Sequence, residues 1–135
     1  MNILQLLNTL PALRVTNGRN PVFDGVPANP PLGYYAVVST PSDAVVRESF
    51  TDVNGKVAQD RLDTTLITLY GPERGELADL RTLWRQVQGL RPTLTLDGLP
   101  VAGVFGGGND LPVRRGPDGR LWGAVRLSLK YRTGV

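Results

Sequence analysis

The alternation of apolar and polar residues is strictest near the end of the chain. Between residues 121 and 132, Leu127 and Leu129 fall on one side and three basic residues on the other: Arg126, Lys130 and Arg132. Successive side chains of a β-strand point to opposite faces of the sheet. The segment therefore predicts a strand whose apolar residues face the core and whose basic residues point away from it.

Other segments have the length and composition of strands. They are residues 34–39, 45–51 and 61–70, followed by a hairpin of 93–96 and 99–105. Pro41-Ser42-Asp43 separates the first two, and Asn54-Gly55 is a turn signal after the second. These runs predict a mostly antiparallel sheet.

One long helix is predicted over about 72–88. Its apolar residues recur at helical spacing: Leu77, Leu80, Trp84 and Val87. Pro72 suits the first position of a helix, and Gly89 suits its end. A short Leu-rich helix is predicted within residues 2–13, ending at Leu10-Pro11. The fold class is therefore α+β, with the helices packed on the sheet.

Two long segments rich in glycine and proline, at about 16–33 and 104–120, are predicted as extended loops. Val22 and Phe23 are expected to pin the first loop to the body of the protein. Exposed apolar residues in such loops indicate contacts with partners. The candidate interface residues are Val22, Phe23, Val26, Phe105 and Leu111.

The chain has 135 residues, of which 41% are hydrophobic and none is cysteine or histidine. This length predicts a single domain, 1–135. A disulfide framework, a catalytic thiolate and a Ser-His-Asp triad are excluded. Gly106-Gly107-Gly108 is not followed by the lysine of a phosphate-binding loop. No apolar run is long enough to cross a bilayer. We therefore expect this protein to have no enzymatic activity, to bind no cofactor or metal ion, and not to associate with membranes.

The net charge is +3, and the residues after Asp110 carry six basic side chains against one acid. Thirteen of the fifteen basic residues are arginines, which bind carboxylates and phosphates in bidentate geometry. The candidate contacts with a neighbouring subunit or with DNA in a channel are Arg114, Arg115, Arg126, Lys130 and Arg132. Asp60, Asp63 and Glu48 are candidate acidic partners between subunits, and a solvated basic face remains the alternative.

The order of elements resembles the tail terminator and tail-completion proteins of long-tailed phages. The resemblance lies in residues 19–27, 30–38, 68–71, 77–80 and 122–131, read in that order. The first of these contains Val22-Phe23-Asp24-Gly25-Val26-Pro27, and the third ends a strand at Tyr70-Gly71. The start of the predicted helix and the glycine run at 106–108 depart from the family pattern.

This resemblance implies an α+β subunit that forms a hexameric ring in the neck of a virion. Such a ring ends the polymerisation of the tail tube and joins the tail to the head connector, while DNA passes through its lumen without sequence-specific contact. The implied partners are copies of the chain, the tail tube protein and connector proteins, with assembly in the host cytoplasm. The alternatives are another neck or tail component, such as a head-completion protein or tube subunit, and a small basic nucleic-acid-binding domain.

Overall fold

The computed structural model describes residues 3–50, 57–90, 95–96, 99–106 and 110–133. Its helices are α1 (Ile3–Leu7) and α2 (Leu77–Gln88), and a 3₁₀ turn spans Pro11–Leu13. The strands are β1 (Val22–Asp24), β2 (Tyr35–Phe50), β3 (Val57–Tyr70), β4 (Thr95–Leu96), β5 (Leu99–Gly106), β6 (Leu111–Arg115) and β7 (Leu121–Thr133). Within these ranges, no helix is long and apolar enough to cross a membrane.

The described strands form one sheet in the order β1-β2-β3-β7-β5-β4, and β6 also pairs with β7. All pairs are antiparallel except β1 with β2, where Val22 lies opposite Ala36 in a parallel register. The predicted α+β class is confirmed, although the sheet is mixed.

The core lies between one face of the sheet and the helices. Helix α2 supplies Leu80, Leu83 and Val87, and the N-terminal segment supplies Leu7 and Leu13. The sheet contributes alternate residues that face these helices: Val22, Ala36, Val38, Ile67, Leu69, Val125 and Leu127. Each fully buried side chain of this kind contributes about 1.5–3 kcal/mol relative to exposure. This face of the sheet is called the core face below.

The predicted break at Pro41-Ser42-Asp43 is wrong, because β2 runs without interruption from Tyr35 to Phe50. The register against β3 shifts between Ser39 and Ser42. Proline has no N–H to donate to a ladder and is therefore found at strand edges and bulges. The irregularity accommodates Pro41, and the two predicted strands form one.

Both helices are shorter than predicted. Helix α2 has 12 residues and begins at Leu77 rather than Pro72. A separate turn precedes it, in which the N–H of Gly75 donates to the carbonyl of Pro72 over 3.0 Å. Glu76 then takes an extended conformation (φ −80°, ψ 134°) that marks the helix boundary. Near the N-terminus, α1 ends at Leu7, before the predicted end at Leu10-Pro11, and the 3₁₀ turn at Pro11–Leu13 follows.

The two predicted loops contain strands. The first includes β1, so Val22 and Phe23 are fixed by pairing with β2. The second includes the end of β5 and all of β6. A turn at 116–119 joins β6 to β7, and in it the N–H of Gly116 donates to the carbonyl of Arg120 over 2.8 Å. The predicted turn at Asn54-Gly55, residues 97–98 between the two strands of the predicted hairpin, and residues 107–109 of the glycine run lie outside the described residues.

Candidate assembly surface

Residues 25–33, called the arm below, connect β1 to the start of β2 along the protein surface. The first end is fixed, since the N–H of Gly25 donates to the carbonyl of Val38 over 3.2 Å and Val22 is buried in the core. Between its ends the arm exposes 89% of Val26 and 90% of Leu32. The arm therefore presents two large apolar side chains to solvent.

Arg120 fixes the second end of the arm. Its Nη2 donates to the carbonyls of Pro31 (3.0 Å) and Gly33 (3.1 Å), and its Nε donates to the carbonyl of Gly71 over 2.9 Å. The guanidinium also lies over the ring of Tyr35, 5.0 Å from the centroid. A planar guanidinium with several donors suits this role, because it holds three carbonyls of two chain segments at once.

A groove of about 620 Å³ runs beside the arm. Phe23, Leu32 and Tyr34 contribute apolar surface to it, while Arg14 and Arg19 line it with exposed basic side chains. Apolar lining with a few charged groups is typical of surfaces that bind another chain. The arm and its groove form one continuous candidate contact region.

The second face of the sheet, opposite the core face, carries a row of aromatic rings. The ring of Tyr35 packs edge-on against Phe23 (6.0 Å between centroids) and stacks on Tyr70 (4.6 Å). Trp122 lies directly opposite Tyr70 in the register. The guanidinium carbon of Arg114 lies over the Trp122 ring, 4.3 Å from its centroid. This face is called the aromatic face below.

Burial changes the acidity of two tyrosines near the arm. It raises the pKa of Tyr35 above its usual range, an effect that the positive charge of Arg120 partly opposes. Burial also raises the pKa of Tyr34, and the negative charges of Asp79 and Glu76 add to the shift. Both phenols therefore keep their protons at neutral pH.

Asp110 joins helix α2 to β7. One carboxylate oxygen accepts from Nε2 of Gln88 (2.7 Å), and the other accepts from the backbone N–H of Arg126 (2.8 Å). Arg126 stands where the partner of β7 changes, because Leu127 pairs with β5 and Ala124 with β6. The carboxylate thus satisfies a backbone donor at the break between two strands.

The fold is shared with a virion protein. A chain of a solved structure described as the virion of a native gene transfer agent particle matches with a TM-score of 0.64 and 15% sequence identity. The match covers 95% of this chain and 90% of that chain. No protein-family model and no curated protein sequence matches the chain. At this level of identity, the likeness to the virion chain concerns the fold.

The predicted interface residues differ in how far their side chains are exposed. Val26 and Leu111 are exposed, Leu111 by 39%. Phe23 is half-buried and in contact with Tyr35. Val22 is only 4% exposed, so the expectation that it is available to a partner was wrong: parallel pairing with β2 turns it into the core. The side chain of Phe105 lies outside the described part of the structure.

The predicted basic residues differ in exposure. Arg114 and Arg115 are exposed; Arg114 covers Trp122, and Nη1 of Arg115 donates to the carbonyl of Gly119 over 2.7 Å. Arg126 is half-buried on the aromatic face, as the alternation of β7 predicts. The side chains of Lys130 and Arg132 lie outside the described part, but the register places Arg132 opposite Asp60 of the same chain.

The sequence analysis missed Leu32, Arg120 and Asp110. Leu32 stands in a glycine- and proline-rich segment next to Pro31, the same signal that singled out Val26. Nothing local distinguishes Arg120 or Asp110, since their partners lie up to 89 residues away. Among the described residues, no group of three or more acidic side chains could hold a metal ion.

Proposed function

We propose that this chain is a structural virion protein without enzymatic activity. In this proposal it forms a ring at the head-proximal end of a phage tail, ends the polymerisation of the tail tube and joins the tail to the head connector. The observation that carries the proposal is the arm, which holds Val26 and Leu32 almost fully exposed between two anchored ends. The partners are other copies of the chain, tube subunits and connector proteins.

The energetics of the arm support an assembly role. Covering a leucine or valine side chain contributes about 1.5–3 kcal/mol relative to leaving it in water. Arg120 and β1 already fix the arm, so a partner that covers these side chains loses less conformational entropy on binding. A fixed arm with exposed apolar residues is therefore suited to bind a protein surface.

The fold likeness gives independent support. The matching chain is part of a gene transfer agent virion, and it has the same architecture over 90% of its length. A virion component needs surfaces for repeated contact rather than a catalytic centre, and the arm and groove provide such surfaces. The ring, the neck position and the hexamer are what the sequence resemblance implies, and the experiments below test the assembly surface and the terminator role.

The first experiment tests the arm. Val26→Ser with Leu32→Ser should leave the isolated chain folded, because both side chains are exposed, but should abolish its oligomers. Oligomeric state is measured by light scattering and negative-stain microscopy, and folding by circular dichroism. Val15→Ser is the matched control, since Val15 is 54% exposed outside the arm. If the double variant formed the same oligomers as the wild type, the arm would not be the assembly surface.

A second experiment separates a terminator from another neck or tail component. Purified tube subunits of the same virus are allowed to polymerise with and without this chain. A terminator gives short tubes with a ring at one end, and tube length falls as its concentration rises. A tube subunit would instead be incorporated along the whole length, and a head-completion protein would leave tube length unchanged.

A further inference from the structure

The groove beside the arm carries positive charge that nothing inside it balances. Arg14 and Arg19 line the groove, and none of its lining residues is acidic. Both arginines are exposed, and among the described residues neither guanidinium has a hydrogen-bond or ion-pair partner. Their N–H donors are therefore available to an acceptor from outside the chain.

A tight hairpin holds both arginines on one side of the groove. The backbones of Thr16 and Arg19 exchange two hydrogen bonds, each of 3.0 Å. Asn17 (φ 52°) and Gly18 (φ 72°) between them have the positive φ values of a type I′ turn. Thr16 and Arg19 lie directly opposite each other, so their side chains share a face. Arg14 is extended (φ −73°, ψ 147°) and lies two residues before Thr16, so it points the same way.

The arm side of the groove is apolar. Leu32 is 90% exposed, and Phe23 and Tyr34 add half-buried aromatic rings. A ligand with carboxylates alone would leave Leu32 in water, and a purely apolar ligand would cover the arginines without pairing their charges. The phosphate backbone of DNA likewise offers no apolar surface to Leu32. The groove therefore favours a protein segment that carries both an acidic and an apolar side chain.

We propose that the groove binds a segment of another virion protein in which an acidic residue stands next to a bulky apolar residue. The carboxylate pairs with Arg14 and Arg19, and the apolar side chain packs on Leu32 and Phe23. The hairpin and the arm are both fixed before binding, which lowers the entropy lost on association. This inference rests on the proposed function and names the chemistry of the partner that the arm and groove bind.

The first test lets the protein choose its ligand. A displayed library of random linear peptides is selected on the full wild-type chain, and the affinities of the selected peptides are measured by fluorescence polarisation. The enriched peptides should carry an aspartate or glutamate next to a leucine, isoleucine, phenylalanine or tryptophan. Their binding should weaken as salt is added, because exposed charges are screened. Enrichment of peptides without acidic residues, or of none, would overturn the proposal.

Substitutions locate the binding site. Arg14→Gln with Arg19→Gln should weaken binding of the selected acidic peptides about tenfold or more, because two charged hydrogen-bonding groups are lost. The fold should be retained, since both side chains are exposed, and circular dichroism checks this. Arg81→Gln with Arg85→Gln is the matched control, because these two arginines are exposed on α2 outside the groove. Equal losses in the two double variants would show only general attraction to a basic protein and would overturn the proposal.

Two further results separate this inference from its alternatives. A duplex oligonucleotide that displaces the acidic peptides, and that loses affinity in Arg14→Gln with Arg19→Gln, would make the groove a nucleic-acid site and overturn the proposal. A chain that shortens tail tubes but selects no acidic peptide would reject this groove chemistry and retain the terminator role. Acidic peptides that bind in the groove of a chain with no effect on tubes would instead support the groove chemistry and reject the terminator role.

Discussion

The indole Nε1 of Trp84 donates a hydrogen bond to the backbone carbonyl of Ala124 over 2.9 Å. Ala124 lies at an irregularity, because the register of β6 against β7 shifts between Leu111 and Arg114, a segment that includes Pro112. Proline has no backbone donor, so a ladder is weakened where it occurs. The indole thus fixes helix α2 to β7 where the sheet itself is irregular.

Replacing Trp84 by phenylalanine should destabilise the protein by about 1–3 kcal/mol. Phenylalanine keeps much of the apolar contact with the core but leaves the partly buried carbonyl of Ala124 without its donor. Denaturant unfolding followed by circular dichroism measures the loss. Trp122→Phe is the comparison, since Trp122 is half-buried on the aromatic face and should show a smaller effect. Equal stability of Trp84→Phe and the wild type would show that the hydrogen bond is energetically neutral.

Gly123→Ala should destabilise the protein by about 1–3 kcal/mol through overpacking. A Cβ at this position would lie 3.1 Å from Cγ2 of Val113 and 3.2 Å from Cδ1 of Trp84. Gly33→Ala is the matched control, because nothing lies within 4 Å of its added Cβ. Thermal unfolding of both variants tests the packing between α2, β6 and β7. If the Gly123→Ala variant were as stable as the Gly33→Ala variant, the predicted overpacking would be contradicted.

Arg120→Lys should loosen the arm and lower stability by about 1–3 kcal/mol, because an ammonium does not reproduce three hydrogen bonds of a planar guanidinium. Limited proteolysis should cut within residues 25–33 faster than in the wild type. Arg115→Lys provides the control, since Arg115 is exposed and its Nη1 donates to the carbonyl of Gly119 in its own turn. Equal cleavage rates in the two variants would mean that β1 alone holds the arm.

Stability should fall as the pH rises above about 10. Burial raises the pKa of Tyr35 in the folded chain, so the unfolded chain loses this proton first and binds fewer protons in that range. The contribution of Tyr35 is fully present below the unfolded pKa and is lost as the pH passes the folded value. Tyr35→Phe should flatten the decline, measured as urea midpoints between about pH 9 and 11. An identical slope in both proteins would show that other groups cause the alkaline loss.

Local periodicity was sufficient for several elements. The alternation of 121–132 predicted which residues of β7 face the core, and Leu121, Val125 and Leu127 are buried. The apolar residues at helical spacing predicted the buried face of α2. They did not predict where the helix begins. These predictions succeeded because strand and helix periods are properties of neighbouring residues. Because the turn at Gly75 and the extended Glu76 precede the helix, Pro72 was a misleading signal for its first residue.

Other features depend on contacts that are distant in the sequence. A proline within β2 reads locally as a break, but pairing with β3 carries the strand past Pro41 through an irregularity. Val22 reads as a loop residue, but parallel pairing with Ala36 places it in the core. The α+β class, the alternation of β7 and the apolar side of α2 are readable from the residues alone, because they follow from the composition and period of short segments. The role of Arg120 in holding the arm and the buried, unpaired Nε of Arg126 arise from folding, because residues distant in the sequence surround both side chains.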